Sequence, residues 1–510
     1  MACARPWSAR ELFTGLGLLV LLSGLAQSSG GFFPSAWSIA TLALLAMAAA
    51  GAVVVRHVDA GRLDATMVAA LGALAVWTLL SAAWSVAPAA TVLEAQRALL
   101  YVVAVAVLLT AARTGSGPIV LTTVLAACTA VCLYALARGG PGPLAAPLGY
   151  ANALGAIAAV GFVLAAGFAI ERHAATTQAP RPYIAPCSLA LVALLPLAAV
   201  LWLSGSRAAL IAAIVGLAAA VALRHGRRVA VLALVVAAAS LGVGAWAAAG
   251  SLRAREPIWS VATHAAAAHP VLGVGAGGFD RVWWRERPVR RGAREAHSLY
   301  LETLAELGPL GVALLLAALA VPLVAALRAR RAPLVPAAAG AYVTFLVHAG
   351  ADWDWEMPAV TLAGLACAVA MLVAGRPPGR ARPVPASARR AISAGLLVLA
   401  LATCAGYSGN AALDRTHEAI AAGSLAAAGA SAREAARWAP WSAAPWLVVG
   451  EAALRRGDLA IARASFRRGL ARDAGDWELW AALARASRGD ARRVALRRAA
   501  ALNPLGAFRD

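Results

Sequence analysis

Apolar stretches of about 17 to 25 residues, separated by short polar breaks, recur along most of this chain. Wound as helices, runs of that length match the ~30 Å hydrocarbon core of a bilayer. They fall near 12–28, 35–55, 65–84, 97–112, 118–137, 150–170, 184–203 and 207–223, then near 229–248, 299–327, 334–350, 358–375 and 391–408. The pattern predicts an all-α fold, a polytopic membrane bundle of about 12–13 transmembrane helices. The first run, from Leu12 to about Gln27, has the length of a signal peptide, yet no A-x-A site follows and a second run begins at Trp37, so it reads as a helix. Two long stretches break the rhythm: residues 249–297, and everything after about 409.

The second of these changes character at Asn410, becoming polar and helical in period, with 16 Arg against 10 acidic residues. We divide the chain into a membrane domain over 1–408 and a soluble helical-repeat domain over 409–510. Trp446 and Trp480 stand 34 residues apart, as do Pro440 and Ala474 in turn-like stretches, and Asn503-Pro504 repeats the turn. That period resembles tetratricopeptide repeats, in which stacked helix pairs bury a shared core and offer a concave face. Gly457-Asp458 and Gly489-Asp490 sit where paired helices would turn. The tail thus reads as a binding or spacing module, with a surface for a protein partner, or as an inert helical bundle, because repeats identify architecture and not a ligand.

Composition agrees with lipid as the main solvent: 61% of residues are hydrophobic and 14% charged, against roughly 25% charged in ordinary soluble domains. The net charge of +21 would suggest nucleic acid in a soluble protein. Here the arginines gather in short loops, where orientation in the membrane explains them, and no nucleic-acid partner is expected. Arg224, Arg227 and Arg228, then Arg328, Arg330 and Arg331, then Arg376, Arg380, Arg382, Arg389 and Arg390 all fall on one side of the bundle; the short connections opposite hold only Arg97, Arg138 and Arg207. The positive-inside rule therefore puts the N-terminus in the cytoplasm and both the 249–297 loop and the tail outside. The six cysteines lie mostly inside apolar runs with no zinc-type spacing and read as small buried residues.

Candidate chemistry concentrates on the external side. The 249–297 loop carries eight arginines against four acids, which fits either a solvated face or an anionic partner suited to guanidinium forks. Ser204-Gly205-Ser206-Arg207 forms a tight hairpin whose serines can cap the next helix, and whose free N–H groups favour an anion. Arg207 adds a full charge there, unless it only snorkels to the interface. Gly273, Gly275 and Gly278 spell G-x-G-x-x-G, but no strand precedes them, so tight turning is the better reading. Asp352-Trp-Asp354 resembles a metal-binding D-x-D without any nucleotide-binding domain around it; Asp352, Asp354 and Glu356 are kept as candidate acceptor-orienting groups. Asn152, at a helix entrance, reads as a cap. No metal site and no cofactor are expected.

Arg255-Glu-Pro-Ile-Trp259, His269-Pro270-Val-Leu-Gly273, His297-Ser-Leu-Tyr-Leu301-Glu302 and Glu306-Leu-Gly308-Pro-Leu-Gly311 follow the hairpin in order. Together, from Ser204 to Gly311 inside a multi-helix frame over about 13–408, they resemble the O-antigen ligase and polymerase superfamily of bacterial envelope glycosyltransferases. The resemblance implies transfer of a glycan from a polyprenyl-pyrophosphate carrier to an acceptor hydroxyl of a glycan, glycolipid or other molecule, outside the cytoplasmic membrane and without a metal. It implies that Arg207 and Arg255 hold the donor pyrophosphate and that His297 is the essential loop histidine. Those residue types suit the reaction, since a good leaving group needs charge neutralisation and the acceptor needs a base near neutrality. Glu302, about 140° around a straight helix from His297, is not assigned as its partner. The rival reading is a secondary transporter, which expects ionisable groups near mid-membrane, and the sequence places almost none there. Ligase and polymerase share this donor chemistry, so the sequence leaves both open.

Overall fold

The computed structural model describes residues 7–176, 184–225, 253–377 and 381–508. The fold is all-α. Among the described residues, nine helices are long and apolar enough to cross a membrane, and three shorter apolar helices accompany them. In order these are α1 (Ala9–Gln27), α2 (Pro34–Val54), α3 (Arg62–Leu80), α4 (Pro88–Ala111), α5 (Gly117–Arg138), α6 (Ala151–Thr176), α7 (Ile184–Leu203) and α8 (Arg207–His225). After α9 (253–268) and α10 (Phe279–Glu286) come α11 (Leu299–Arg328), α12 (Val335–Ala349), α13 (Pro358–Ala374) and α14 (Ala386–Ala421). The expected helix at 229–248 lies outside the described residues.

Helix starts follow local chemistry. Ser8 caps α1 in a box with Glu11, and α2, α4, α5, α12 and α13 each carry proline in their first turn, where its missing N–H costs nothing. α4 begins at Pro88, nine residues before the expected start, because Arg97 pairs with Glu94 and Glu356 inside the protein instead of marking a connection. Arg97, expected in a connection, is inside the helix and only 6% exposed. α13 is buried almost throughout and forms the centre of the bundle. α8 and α12 approach closely where Gly216 and Gly340 face each other's backbone, the small-residue packing that substitutes for a hydrophobic drive in lipid. α14 is peripheral and presents Leu397, Val398 and Leu401 outward. Cys128, Cys132 and Cys367 are buried as expected, whereas Cys404 on α14 is exposed. Cys3 and Cys187 have no described side chains.

One end of the bundle carries the connections at 81–87, 139–150, 204–206 and 350–357 together with the 253–298 loop and the tail. At the other end Arg376 bridges Asp64 and the carbonyls of Leu109 and Ala112, and His57-Val58 pairs antiparallel with Arg382-Pro383. α14 runs unbroken across residue 408 and carries the chain away from the bundle into α15 (Leu425–Trp438), α16 (Ala444–Arg455), α17 (Leu459–Leu470), α18 (Trp477–Ala486) and α19 (Gly489–Leu502). α16 with α17, and α18 with α19, are paired around Phe466, Leu479, Ala482 and Leu483.

Candidate active site

The 253–298 loop has its own small core of Ile258, Val261, Phe279, Val282, Trp283 and Ala296. It is pinned to the first turns of α11. The Val274 and Gly275 amides donate to the carbonyls of Ala305 and Glu306, and the Glu306 carboxylate accepts from the Gly277 and Phe279 amides at 2.9 Å each, closing the start of α10. Two glycines permit this approach. Gly273 (φ +67°) and Gly308 (φ +67°) both adopt the left-handed conformation, and a Cβ on either would run into the other segment's backbone. Gly308 breaks α11, so its first segment offers free carbonyls to the loop and to the Trp77 indole. Gly273 and Gly275 of the glycine motif therefore serve close backbone approach, where the sequence reading gave the motif tight turning.

Five polar groups from four elements meet beside this loop. Arg255, at the start of α9, pairs with the fully buried Asp352 at 2.7 Å. Asp352 also accepts from Asn152 Nδ2 at 2.6 Å, from the Tyr150 hydroxyl at 2.8 Å and from the Trp353 amide at 2.8 Å. Tyr150 stacks on Trp353 with centroids 4.6 Å apart. Asn152 is thus a ligand of Asp352, a contact its reading as a cap did not contain. Asp352 has all its acceptor directions filled, and it orients Arg255 through one Nη nitrogen, leaving other guanidinium donors unused by it.

His297 stands next to this group, within electrostatic reach of Asp352, Arg255 and Arg291. Its backbone is left-handed at φ +53°, a conformation costly for a residue with a Cβ. Nδ1 lies 3.1 Å from the Glu295 carbonyl, which can only accept, so Nδ1 carries the proton and Nε2 keeps its lone pair. Burial, opposed in part by that carbonyl and by Asp352, lowers the imidazole pKa. Glu302 does not touch the ring. Its carboxylate accepts from the Ala296 amide at 2.6 Å and so fixes the backbone immediately before His297.

Arg207 opens α8 and is exposed, with no hydrogen bond or ion pair to the described residues. Ser206 caps α8 by accepting from the Ala209 amide at 3.3 Å. The hairpin rests on α6 at Gly155, where a Cβ would meet Ser204 and Ser206, less than one turn beyond Asn152. No direct contact joins Arg207 to Arg255 or His297.

The acidic stretch after α12 separates into three pairs. Asp352 takes Arg255, Asp354 takes His348 of α12 at 3.1 Å, and Glu356 takes Arg97 of α4 at 2.7 Å. Arg97 also bonds Glu94 and lies over the Trp355 ring. Burial, with Glu356 and Glu94 close by, holds the Glu295 carboxyl well above its ordinary range. Glu295, Glu302 and Glu356 bring one carboxylate oxygen each within 4.8 Å of one another, a spacing compatible with a cation as well as with shared protons. Ionisable side chains thus lie within α4 and α11 near the loop end, in the first turns of these helices and not at mid-membrane. His348 was missed because it sits in a run otherwise continuous in apolar residues, and the Glu94–Arg97 pair because it looks like a polar connection.

The tail closes over the loop. α10 turns Phe279, Val282 and Trp283 into the loop core, while Arg281 and Trp284, and Arg287 just after the helix, reach the tail. Arg281 pairs with Asp473 at 2.7 Å and Asp476 at 3.2 Å, Trp284 packs on Trp477, and Arg287 donates to Asn503 Oδ1 at 2.9 Å.

Among known proteins, residues 189–316 match the family model described as O-antigen ligase, a span that holds Arg207, Arg255 and His297. No curated protein matches the chain.

Proposed function

Membership of the O-antigen ligase and polymerase family is the premise from which we propose the reaction of this membrane glycan ligase or polymerase. The donor is a glycan on a polyprenyl pyrophosphate, the acceptor a hydroxyl of a glycan, glycolipid or other envelope molecule, and the reaction runs at the outer face of a bacterial cytoplasmic membrane. The observation that carries the reading is the His297 imidazole, its Nδ1 committed to a carbonyl and its Nε2 turned free of that bond, beside an arginine held by a buried aspartate. Nε2 takes the proton of the acceptor hydroxyl as its oxygen bonds to the anomeric carbon. The bond from that carbon to the pyrophosphate oxygen breaks on the opposite face, so configuration inverts. Arg255 neutralises the departing charge, with Arg207 supplying a second cation from the neighbouring hairpin. No step needs a metal. The tail, read as a helical repeat, serves recognition and not bond formation.

The test is turnover with a defined lipid-linked donor in purified protein. Base catalysis is typically worth about 10²- to 10⁴-fold, so His297→Ala lowers kcat by that order while donor binding persists. His297→Gln is equally poor, since an amide keeps hydrogen bonding but cannot take the proton. Substantial activity in the glutamine variant reduces His297 to a positioning role; near-normal turnover in the alanine variant removes the base altogether.

A further inference from the structure

A cleft of about 320 Å³ opens where α4, the loop and the tail converge. That is at the small end of ligand pockets, roughly 300–1,000 Å³, a size for a short glycan segment and not for a protein domain. Its walls carry four carboxyl groups, Glu94, Asp280, Glu295 and Asp476, against two guanidiniums, Arg281 and Arg294. Arg281 is already paired with Asp473 and Asp476 and carboxyl groups outnumber guanidiniums, so the cleft suits pyrophosphate poorly, unlike the arginine-bearing side of His297. Two carboxamides, Gln96 and Asn410, line it as well, and in each one buried polar atom, Gln96 Oε1 and Asn410 Nδ2, has no hydrogen-bond partner among the described residues. Trp441, 41% exposed, adds a flat indole from the tail. Interleaved donors and acceptors beside an aromatic face suit a molecule with many hydroxyls on one side and ring C–H groups on the other. The cleft also adjoins the reaction centre, because Glu295, which lines it, gives its carbonyl to His297.

We propose that this cleft is the acceptor subsite: a neutral or amine-bearing saccharide lies between the tail and the loop, with Trp441 against a ring face and Asn410 and Gln96 on its hydroxyls, and delivers its terminal hydroxyl toward His297. The assignment rests on the transferase reading above and adds that the tail supplies part of the acceptor site.

The experiment uses the full chain in lipid nanodiscs. Saturation-transfer NMR is recorded with a panel of neutral and amino-sugar disaccharides that includes maltose and chitobiose, and with glucose 1-phosphate as the anionic control. At least one disaccharide gives a signal that Trp441→Ala and Asn410→Leu abolish and Trp438→Ala, an exposed tail tryptophan outside the cleft, retains. In transfer assays with that sugar as acceptor, the two cleft variants raise its KM by about tenfold and leave kcat and the donor KM within about twofold. The assignment is overturned if no disaccharide binds, if binding survives both cleft variants, or if glucose 1-phosphate competes better than the sugars. A protein that binds the disaccharide at the cleft but never turns over a lipid-linked donor refutes the transferase reading and leaves the saccharide site standing.

Discussion

At position 297 an imidazole occupies backbone that a side chain with a Cβ enters at a cost of roughly 1–2 kcal/mol, held there by Glu302 on the preceding amide and by its own bond to the Glu295 carbonyl. Strain of this kind persists where surrounding contacts over-determine it, which is common at reaction centres. Because burial lowers its pKa, His297 loses its proton below the ordinary histidine value near 6.5. A base works only when unprotonated, so kcat/KM rises with pH through the free-enzyme pKa and the acid limb has its midpoint below 6.5. A pH series on the wild type and on His297→Gln checks this: a midpoint at or above 6.5, or a limb that survives in the variant, assigns the titration elsewhere. The order of motifs singled out His297, Arg255 and Arg207 in the sequence; the fold brings the first two together and leaves Arg207 apart from both. The role of Asp352 was not, since 97 residues separate it from Arg255 and no local pattern announces the pair. Glu302 was set aside on helical geometry, correctly for the ring, but its contact is with the backbone one residue earlier.

Among elements, α11 shows how a membrane helix is adapted to hold a loop. Its length was readable from apolar periodicity, yet the break at Gly308 frees the carbonyls that dock residues 271–278. A glycine followed by proline in an apolar run signals irregularity without saying what approaches it, so that half of the arrangement needed the fold. Similarly, the start of α4 was misplaced because Glu94, Gln96 and Arg97 look like a polar connection; in the fold they face Glu356 and the cleft. Gly308→Ala would force a Cβ toward the Val271 carbonyl at a positive φ. Such a change costs on the order of 1–3 kcal/mol, and because the displaced segment ends next to His297, activity falls with stability. Thermal unfolding of the purified variant alongside its turnover measures both. Wild-type values for each would mean that the loop does not depend on this approach.

For the whole molecule, loop, tail and the Arg207 hairpin share one end of the bundle, and Arg328, Arg376 and Arg382 share the other. From the arginine distribution we propose that the second end is cytoplasmic, since basic residues in short connections tend to stay on that side whereas long segments such as the loop translocate whatever their charge. α14 has 36 residues, which at about 1.5 Å per residue is roughly 54 Å, well beyond a ~30 Å core. The surplus projects beyond the bilayer, where Arg281 and Trp284 of α10 and the following Arg287 meet the tail. Separating tail from loop would leave Arg281 without its two carboxylates, so the two ought to be found on the same side in every functional state. In a cysteine-free background, single cysteines at Arg290 in the loop, Arg488 in the tail and Arg331 in the connection between α11 and α12 are all exposed positions. A membrane-impermeant maleimide applied from outside then labels Arg290→Cys and Arg488→Cys together and spares Arg331→Cys until the membrane is opened. Labelling of Arg331→Cys alone from outside inverts the orientation and moves the reaction to the cytoplasm. Labelling that splits loop from tail contradicts the interface on which the acceptor cleft is built.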